Sequence, residues 1–280
     1  MSLKEVVLHG KVNTPDEVIR ANIARNIRRG LPQVRKYPPN AARLALVGGG
    51  PSLLDTFSEL RAQAFSGDKL VAVNGSYQWL LERNLKPSVM VVLDARPSNV
   101  RFLAENVPGC KYFLASQCDP AVFDLCEREG RDVTIFHCIG NADEQGMLAD
   151  YYDHRFCIVE CGSTGGTTVM LRSIVLMATL GFYRMDIYGM DSCWLGDAHH
   201  AYPQAENDRD RRLTITTIPK RGDVVLGEPR EFVCDPWHLR QAEEFQTLVK
   251  DLGDHFALNV HGDGLLAHIV KTGASLPDPA

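Results

Sequence analysis

Short apolar runs alternate with amphipathic stretches through most of the chain, which predicts alternating strands and helices. We expect strands at 43–47, 69–73, 88–93, 111–116, 132–137 and 184–188, with a short one near 155–160, and helices near 52–64, 76–84, 119–128 and 164–180. Runs such as Val89–Leu93 hold no polar residue, as is typical of strands covered on both faces. The pattern therefore predicts an α/β fold, with a Rossmann-like, open, mostly parallel sheet and helices on both faces.

The two ends of the chain differ from this pattern and suggest three parts. These are an N-terminal helical segment and linker at 1–42, a Rossmann-like nucleotide-binding core at 43–212, and a C-terminal hairpin and helices at 213–280 that complete the same domain. In the last part, Leu213–Ile218 alternates and returns through Val224–Leu226, which indicates a β-hairpin. Asp235 and Pro236 then open an amphipathic helix.

Composition and charge exclude several classes of protein. Of 280 residues, 45% are hydrophobic and 23% are charged, as in ordinary globular proteins. The net charge of −5 argues against sequence-independent binding of nucleic acid. No apolar run reaches the roughly 18–20 residues of a membrane span, and the N-terminus lacks a signal-peptide pattern. The eight cysteines show no CxxC spacing, so neither a disulfide framework nor structural zinc is expected. We expect a cytoplasmic protein without a membrane span, and leave its oligomeric state open, a homo-oligomer included.

Small or polar residues follow six of the predicted strands. In parallel sheets, ligands bind outside the carboxyl ends of the strands, where the strand order reverses. These residues are the turn at 48–52, then Asn74, Asp94, Ser116, Ser163 and Asp191. The row indicates a nucleotide site.

The sharpest of these strand ends is a glycine turn, made of Gly48, Gly49, Gly50, Pro51 and Ser52. Glycines let the backbone approach a ligand closely, and the proline starts a helix whose N–H groups can face that ligand. No Gly-Lys-Ser/Thr follows, so the turn is not a P-loop. A turn without a ligand is the alternative.

The sequence does not favour NAD as a cofactor. Leu53 stands where a dinucleotide fingerprint has its third glycine. Asn74 ends the second strand in place of the acid that would bind a ribose diol. An amide there can bind a base or sugar without repelling phosphate.

A second candidate anion site precedes the predicted helix 164–180. Gly162, Ser163 and Thr164 offer hydroxyls and N–H groups at the positive end of the helix dipole. The alternative is an ordinary helix cap, with glycines for close packing.

Two acids and two histidines are candidates for the chemistry. Asp94 and Asp191 each follow an apolar strand, where paired acids could hold Mg²⁺, orient a sugar hydroxyl or act as a base; each could instead cap a turn. His199 and His200 lie after the last core strand, and one of them could be a general acid or base. Since adjacent histidines point different ways, both cannot serve one metal from a regular element. A surface loop is the alternative.

Three segments together resemble a known family. They are Leu46–Leu53, then Val71–Gly75 with Val92–Asp94, and then Gly162–Thr164 through to Tyr188–Asp191. The set resembles the MptE-like family, named for the archaeal 6-hydroxymethyl-7,8-dihydropterin diphosphokinase, which includes the Maf motility-associated glycosyltransferases. More distantly, it resembles the bacterial CMP-sialyltransferases.

The resemblance implies how these residues would meet a nucleotide. Phosphates or ribose would lie near Gly49, Gly50, Ser52, Ser163 and Thr164; Asn74 would contact the nucleotide, and Asp191 would close the pocket. An asparagine at position 94 would suit a metal-free CMP-sugar site, so the acid found there fits a Mg²⁺-nucleotide better. The long flanking regions of Maf proteins have no counterpart in this sequence, so we do not expect flagellin as the acceptor.

Three functions remain open. The first expectation is diphosphoryl transfer from a Mg²⁺-nucleoside triphosphate to a small hydroxymethyl, pterin-like acceptor, with Asp94 and Asp191 holding the metal. The second is glycosyl transfer from a CMP-sugar or another nucleotide-activated sugar, with His199 or His200 as the base. The third is a nucleotide-binding module without catalysis.

Overall fold

A computed structural model describes residues 14–103, 105–138, 148, 166–204, 212–221, 224–225, 227–274 and 276. Its helices are α1 (Asp16–Ile27), α2 (Phe57–Phe65), α3 (Ser76–Leu81), α4 (Pro120–Arg128), α5 (Val169–Thr179), α6 (Pro236–Leu252) and α7 (Leu265–Thr272), with 3₁₀ turns at Pro51–Leu53 and Pro97–Leu103. Its strands are β1 (Asn40–Val47), β2 (Lys69–Val73), β3 (Val89–Val92), β4 (Lys111–Ala115), β5 (Asp132–Phe136), β6 (Phe182–Tyr188), β7 (Leu213–Thr217), β8 (Lys220–Arg221), β9 (Val224–Val225), β10 (Arg230–Cys234) and β11 (Ala257–Val260).

Within the described residues, seven strands form one parallel sheet in the order β11-β6-β1-β2-β3-β4-β5. The chain enters at β1, runs outward to β5 on one side, and returns as β6 and β11 on the other. Leu46 on β1 pairs with Val71 on β2 and with Ile187 on β6. The predicted Rossmann-like α/β fold is confirmed. The strand order reverses between β1 and β6, which is where such sheets bind ligands.

Helix α5 is buried along most of its length. Every residue from Met170 to Ala178 is buried, in agreement with the apolar character of this stretch. The helix begins at Val169 and not at 164, because Thr168 caps it: the Thr168 side chain accepts a hydrogen bond from the Leu171 N–H. The predicted strand near 155–160 lies outside the described residues.

The predicted helix 52–64 is divided into two pieces. The 3₁₀ turn at Pro51–Leu53 follows the glycines directly, and α2 begins only at Phe57. The Thr56 side chain donates to the Ser52 carbonyl at 2.8 Å, which fixes the bend between the two pieces. This local bonding competes with a continuous helix.

The C-terminal hairpin is longer than predicted. Strand β7 pairs with β10, whereas the predicted return strand β9 pairs only with the two-residue β8. On β10, Phe232 and Cys234 are buried and alternate with more exposed residues, as in a strand with one buried face. This alternation is hard to recognise in the sequence because the strand begins with two charged residues. Among the described helices, none is long and apolar enough to cross a lipid bilayer.

Candidate functional site

A cleft of about 220 Å³ opens at the carboxyl ends of β1 and β6. It is lined by residues from several separate segments of the chain. Predicted site residues among them are Gly49, Gly50, Pro51, Asn74, Asp191, His199 and His200. The structure therefore brings three of the six predicted strand ends together where the strand order reverses, namely the glycine turn, Asn74 and Asp191, whereas Asp94 and Ser116 do not line the cleft. Gly162, Ser163 and Thr164 lie outside the described residues.

The glycine turn is bonded to the end of β6. The Gly48 N–H donates to the Tyr188 carbonyl and the Gly50 N–H donates to the Gly189 carbonyl, both at 2.8 Å. The Ser52 N–H donates to Asp191 Oδ2 at 3.0 Å. These three N–H groups are therefore used within the protein, and the Ser52 N–H is one of those at the helix start that we expected to face a ligand.

The glycines also let other parts of the site approach closely. A Cβ atom on Gly49 would overlap the Tyr202 hydroxyl, and one on Gly50 would overlap the Asp191 carboxylate. These positions require glycine because the segment after β6 folds back over the turn, where the Ala201 N–H donates to the Gly49 carbonyl at 2.9 Å.

Asn74 contributes an amide to the cleft from the end of β2. Its φ of 47° is in the left-handed region, which asparagine tolerates better than most residues. The side-chain Oδ1 atom is buried and has no hydrogen-bond partner among the described residues. This oxygen is thus an acceptor that a ligand could satisfy.

Asp191 is a buried acid between the glycine turn and α7. Burial raises the pKa of its carboxyl group to about 6, although hydrogen bonds from Ser52 lower it. The Leu266 N–H donates to the Asp191 carbonyl oxygen at 3.3 Å, which ties α7 to this loop. Asp191 both braces the turn and places a titratable group in the cleft.

Asp94 lies elsewhere. Its carboxylate accepts hydrogen bonds from the Arg96 Nε atom at 3.0 and 2.9 Å, and it is not among the residues that line the cleft. Strands β3 and β6 are three steps apart in the sheet, roughly 14 Å at about 4.8 Å per strand. The structure does not bring Asp94 next to Asp191.

His200, His199 and Asp235 form a hydrogen-bonded chain at the cleft. The Nδ1 atoms of His199 and His200 are 2.7 Å apart, and His199 Nε2 is 2.9 Å from Asp235 Oδ2. The Asp235 side chain is fully buried. Burial alone would raise its pKa, but the hydrogen bond from His199 and the nearby His238 outweigh burial, so its pKa is lowered. Asp235 is therefore an anion that orients His199.

Asp235 can do this because it is the N-cap of α6. Its Oδ1 atom accepts from the His238 N–H at 2.8 Å, and its own N–H donates to His238 Nδ1 at 3.3 Å. Burial lowers the pKa of His238 to about 4, so that this ring is neutral at pH 7. The sequence predicted the helix start, but it gave no sign that the second carboxylate oxygen reaches a histidine 36 positions away.

Helix α6 is fixed to the start of α5 beside the cleft. Gln241 donates to Thr168 Oγ1 at 2.8 Å and accepts from the Ser192 hydroxyl at 2.7 Å. Glu244 accepts from the N–H and the hydroxyl of Thr167. These hydrogen bonds thus connect α6, the start of α5 and the loop after β6 on one side of the cleft.

Comparisons with known proteins agree with this fold. The sequence model of the family described as 6-hydroxymethylpterin diphosphokinase MptE-like matches residues 18–197. The chain belongs to the MptE-like family. Among solved structures, it is similar to the structure of the Maf glycosyltransferase from Magnetospirillum magneticum AMB-1, with 17% identity and a TM-score of 0.65. The alignment covers 89% of this chain and 36% of the other, so this chain spans about a third of that protein. Among curated proteins, none matches the sequence.

One group of side chains in this MptE-like protein has the spacing of metal ligands, within the part of the chain that the structure describes. His199, Asp235 and His238 place one ligand atom each within 4.8 Å of one another. Imidazole donors suit Zn²⁺ and similar metals, whereas Mg²⁺ prefers oxygen. The group contains neither Asp94 nor Asp191.

A second cavity, of about 330 Å³, adjoins the first. Tyr202 and Gln204 line both cavities, and Arg101 lines the second. The Tyr202 ring lies so close to Gly75 that a Cβ atom there would be 2.7 Å from the ring. Burial raises the pKa of the Tyr202 hydroxyl, which therefore stays protonated. Tyr202 forms the wall between the two cavities.

Proposed function

We propose that this MptE-like protein is a nucleotide-dependent transferase that binds its donor in the cleft and uses His200 to deprotonate an acceptor hydroxyl. The observation that carries this proposal is the chain of two hydrogen bonds from His200 through His199 to the buried Asp235. A positioned imidazole with an anionic partner is an efficient general base near neutral pH.

The hydrogen bonds support a path for the proton. With Asp235 ionised, His199 donates from Nε2 and accepts at Nδ1 the hydrogen bond from the Nδ1–H of His200. In this tautomer, Nε2 is the basic nitrogen of His200. When Nε2 takes the proton of the acceptor, the Nδ1 proton can pass to His199, whose positive charge Asp235 then stabilises.

Glycosyl transfer from a nucleotide-activated sugar is the reaction we favour. None of the described residues that line the cleft is lysine or arginine, so a triphosphate would find little compensating charge among them. A donor such as a CMP-sugar carries a single phosphate. The positive dipole end of α5 lies beside the cleft and could bind that phosphate. Gly162, Ser163 and Thr164 remain candidates for the same role.

Diphosphoryl transfer to a hydroxymethyl, pterin-like acceptor is the second candidate, because the description of the matching family names a 6-hydroxymethylpterin diphosphokinase. It would use Mg²⁺, with Asp94 and Asp191 as its proposed ligands. Because these two acids follow strands that are three steps apart in the sheet, this is the weaker of the two proposals.

The test separates binding from turnover. Donors are CMP-sugar, UDP-sugar and Mg²⁺-ATP, with binding measured by calorimetry and transfer by release of free nucleotide. We expect His200→Ala to retain donor binding and lose turnover by a factor of 100 or more. The matched control is His255→Ala, at an exposed histidine away from the cleft. Unchanged turnover in His200→Ala, or no binding of any donor, would contradict the proposal.

A further inference from the structure

Trp237 stands apart from the other tryptophans of the chain. Its side chain is 43% exposed, whereas Trp79 and Trp194 are 2% and 5% exposed. Trp237 also lines the cleft. Among the described residues, Trp237 is the one exposed large hydrophobic residue that lines the cleft. A large aromatic side chain left partly open to water at the cleft is a site where a flat ligand would remove apolar area from water.

The local structure fixes the backbone that carries this ring. Trp237 is in the first turn of α6, directly after Asp235 and Pro236, which set the start of the helix. One turn later, Gln241 forms hydrogen bonds with the side chains of Thr168 and Ser192, which fasten α6 to the start of α5 and to the loop after β6. The backbone that carries the indole is therefore anchored before any ligand binds, which lowers the entropic cost of binding.

We infer that Trp237 is the stacking platform for the planar heteroaromatic ring of the ligand, which for a nucleotide donor is its base. Stacking suits Trp237 because the face of an indole ring can pack against any flat ring without needing a particular hydrogen-bond pattern. Polar groups elsewhere in the cleft, such as the unpartnered Asn74 Oδ1 atom, remain available to bind the rest of the ligand. This inference rests on the proposed binding of a nucleotide in the cleft.

Intrinsic tryptophan fluorescence tests the inference directly. The probes are CMP, AMP and, as a ligand without a ring, ribose 5-phosphate. We expect at least one of the two nucleotides to quench the emission of the unaltered protein, and ribose 5-phosphate to leave it unchanged. In Trp237→Phe the quenching should disappear, because the two remaining tryptophans are buried.

Calorimetry with the same nucleotides measures the contribution to affinity. Trp237→Ala should bind about tenfold more weakly or worse, whereas Trp237→Phe keeps a ring and should lose less. Val249→Ala is the control, since Val249 is exposed on α6 but does not line the cleft. Quenching that persists in Trp237→Phe, full affinity in Trp237→Ala, or no binding of either nucleotide would overturn the inference.

The outcome is separable from that of the proposed function. His200→Ala should still show quenching, because His200 is proposed to act on the acceptor and Trp237 on the donor. Quenching with unaltered turnover in His200→Ala would contradict the catalytic proposal alone. Loss of turnover in His200→Ala, with nucleotide affinity unchanged in Trp237→Ala, would contradict the stacking inference alone.

Discussion

The Nε2 atom of His199 lies 2.9 Å from the Oδ2 atom of Asp235, whose side chain is fully buried. The other oxygen of the same carboxylate caps helix α6. One residue thus connects the start of a helix to a histidine pair at the cleft. Substitutions at Asp235 should therefore separate its structural role from its effect on the histidines.

We expect Asp235→Asn to retain most of the stability but to lose turnover by a factor of about 100 or more. Asparagine caps helices nearly as well as aspartate, but it carries no charge to stabilise a protonated His199. Asp119→Asn is a matched control, because Asp119 is the N-cap of α4 and its side chain accepts from the Ala121 N–H. Turnover and melting temperature measured on both variants decide the question. Equal turnover in both would mean that Asp235 is only a helix cap.

Gly49→Ala should destabilise the protein by about 1–3 kcal/mol, because the new methyl group overlaps the Tyr202 hydroxyl. Tyr202→Phe removes that oxygen and should restore part of the loss in the double variant. Recovery would be partial, since the Cδ2 atom of His200 would still lie 3.0 Å from the new Cβ. Chemical denaturation of the single and double variants measures the coupling.

Gly227→Ala is the control for the Gly49 experiment. The nearest atom to a Cβ at Gly227 is 3.5 Å away, an ordinary contact. Its stability should therefore change little. If Gly49→Ala behaves like this control, the segment with Tyr202 does not pack against the turn as described.

The buried carboxyl group of Asp191 should make stability depend on pH. Its pKa is raised to about 6 in the folded state, against about 3.9 when unfolded. Between about pH 4 and 6 the folded state binds more protons than the unfolded state, so the free energy of unfolding should fall as the pH rises through this window. Above pH 6 this contribution should stay constant.

Asp191→Asn removes this titration but leaves an oxygen that can accept from the Ser52 N–H. The free energy of unfolding of the variant, relative to that of the unaltered protein, should therefore increase as the pH rises from about 4 to about 6. Urea denaturation at several pH values measures the difference. A constant difference across the window would show that Asp191 does not titrate there.

The sequence was sufficient to locate the central strands of the sheet, because they contain apolar runs such as Val89–Val92. It also placed the glycine turn, Asn74 and Asp191 at one edge. It could not separate Asp94 from Asp191, since both follow apolar strands in the same way. Their separation depends on the strand order, which places β1 and β2 between β3 and β6 and is not encoded in any local pattern.

The Asp235–His199 contact was missed for a related reason. Periodicity and capping preferences act over a few residues, and they correctly predict that Asp235 starts a helix. The contact with His199 arises only when the loop after β6 folds over the glycine turn. Trp237 gave no signal either, because a tryptophan in an amphipathic helix is usually buried.

Asp94→Asn separates the two proposed reactions. Arg96 donates hydrogen bonds to both carboxylate oxygens of Asp94, and neither Asp94 nor Arg96 lines the cleft. For glycosyl transfer we therefore expect turnover within about twofold of the unaltered protein, with no requirement for added Mg²⁺. Asn retains an oxygen for the Arg96 N–H, so a general loss of folding is not expected; the melting temperature checks this. Transfer assays with CMP-sugar and with Mg²⁺-ATP, each with and without EDTA, give the answer. A loss of Mg²⁺-dependent transfer from ATP in Asp94→Asn would instead favour diphosphoryl transfer, with the metal near β3.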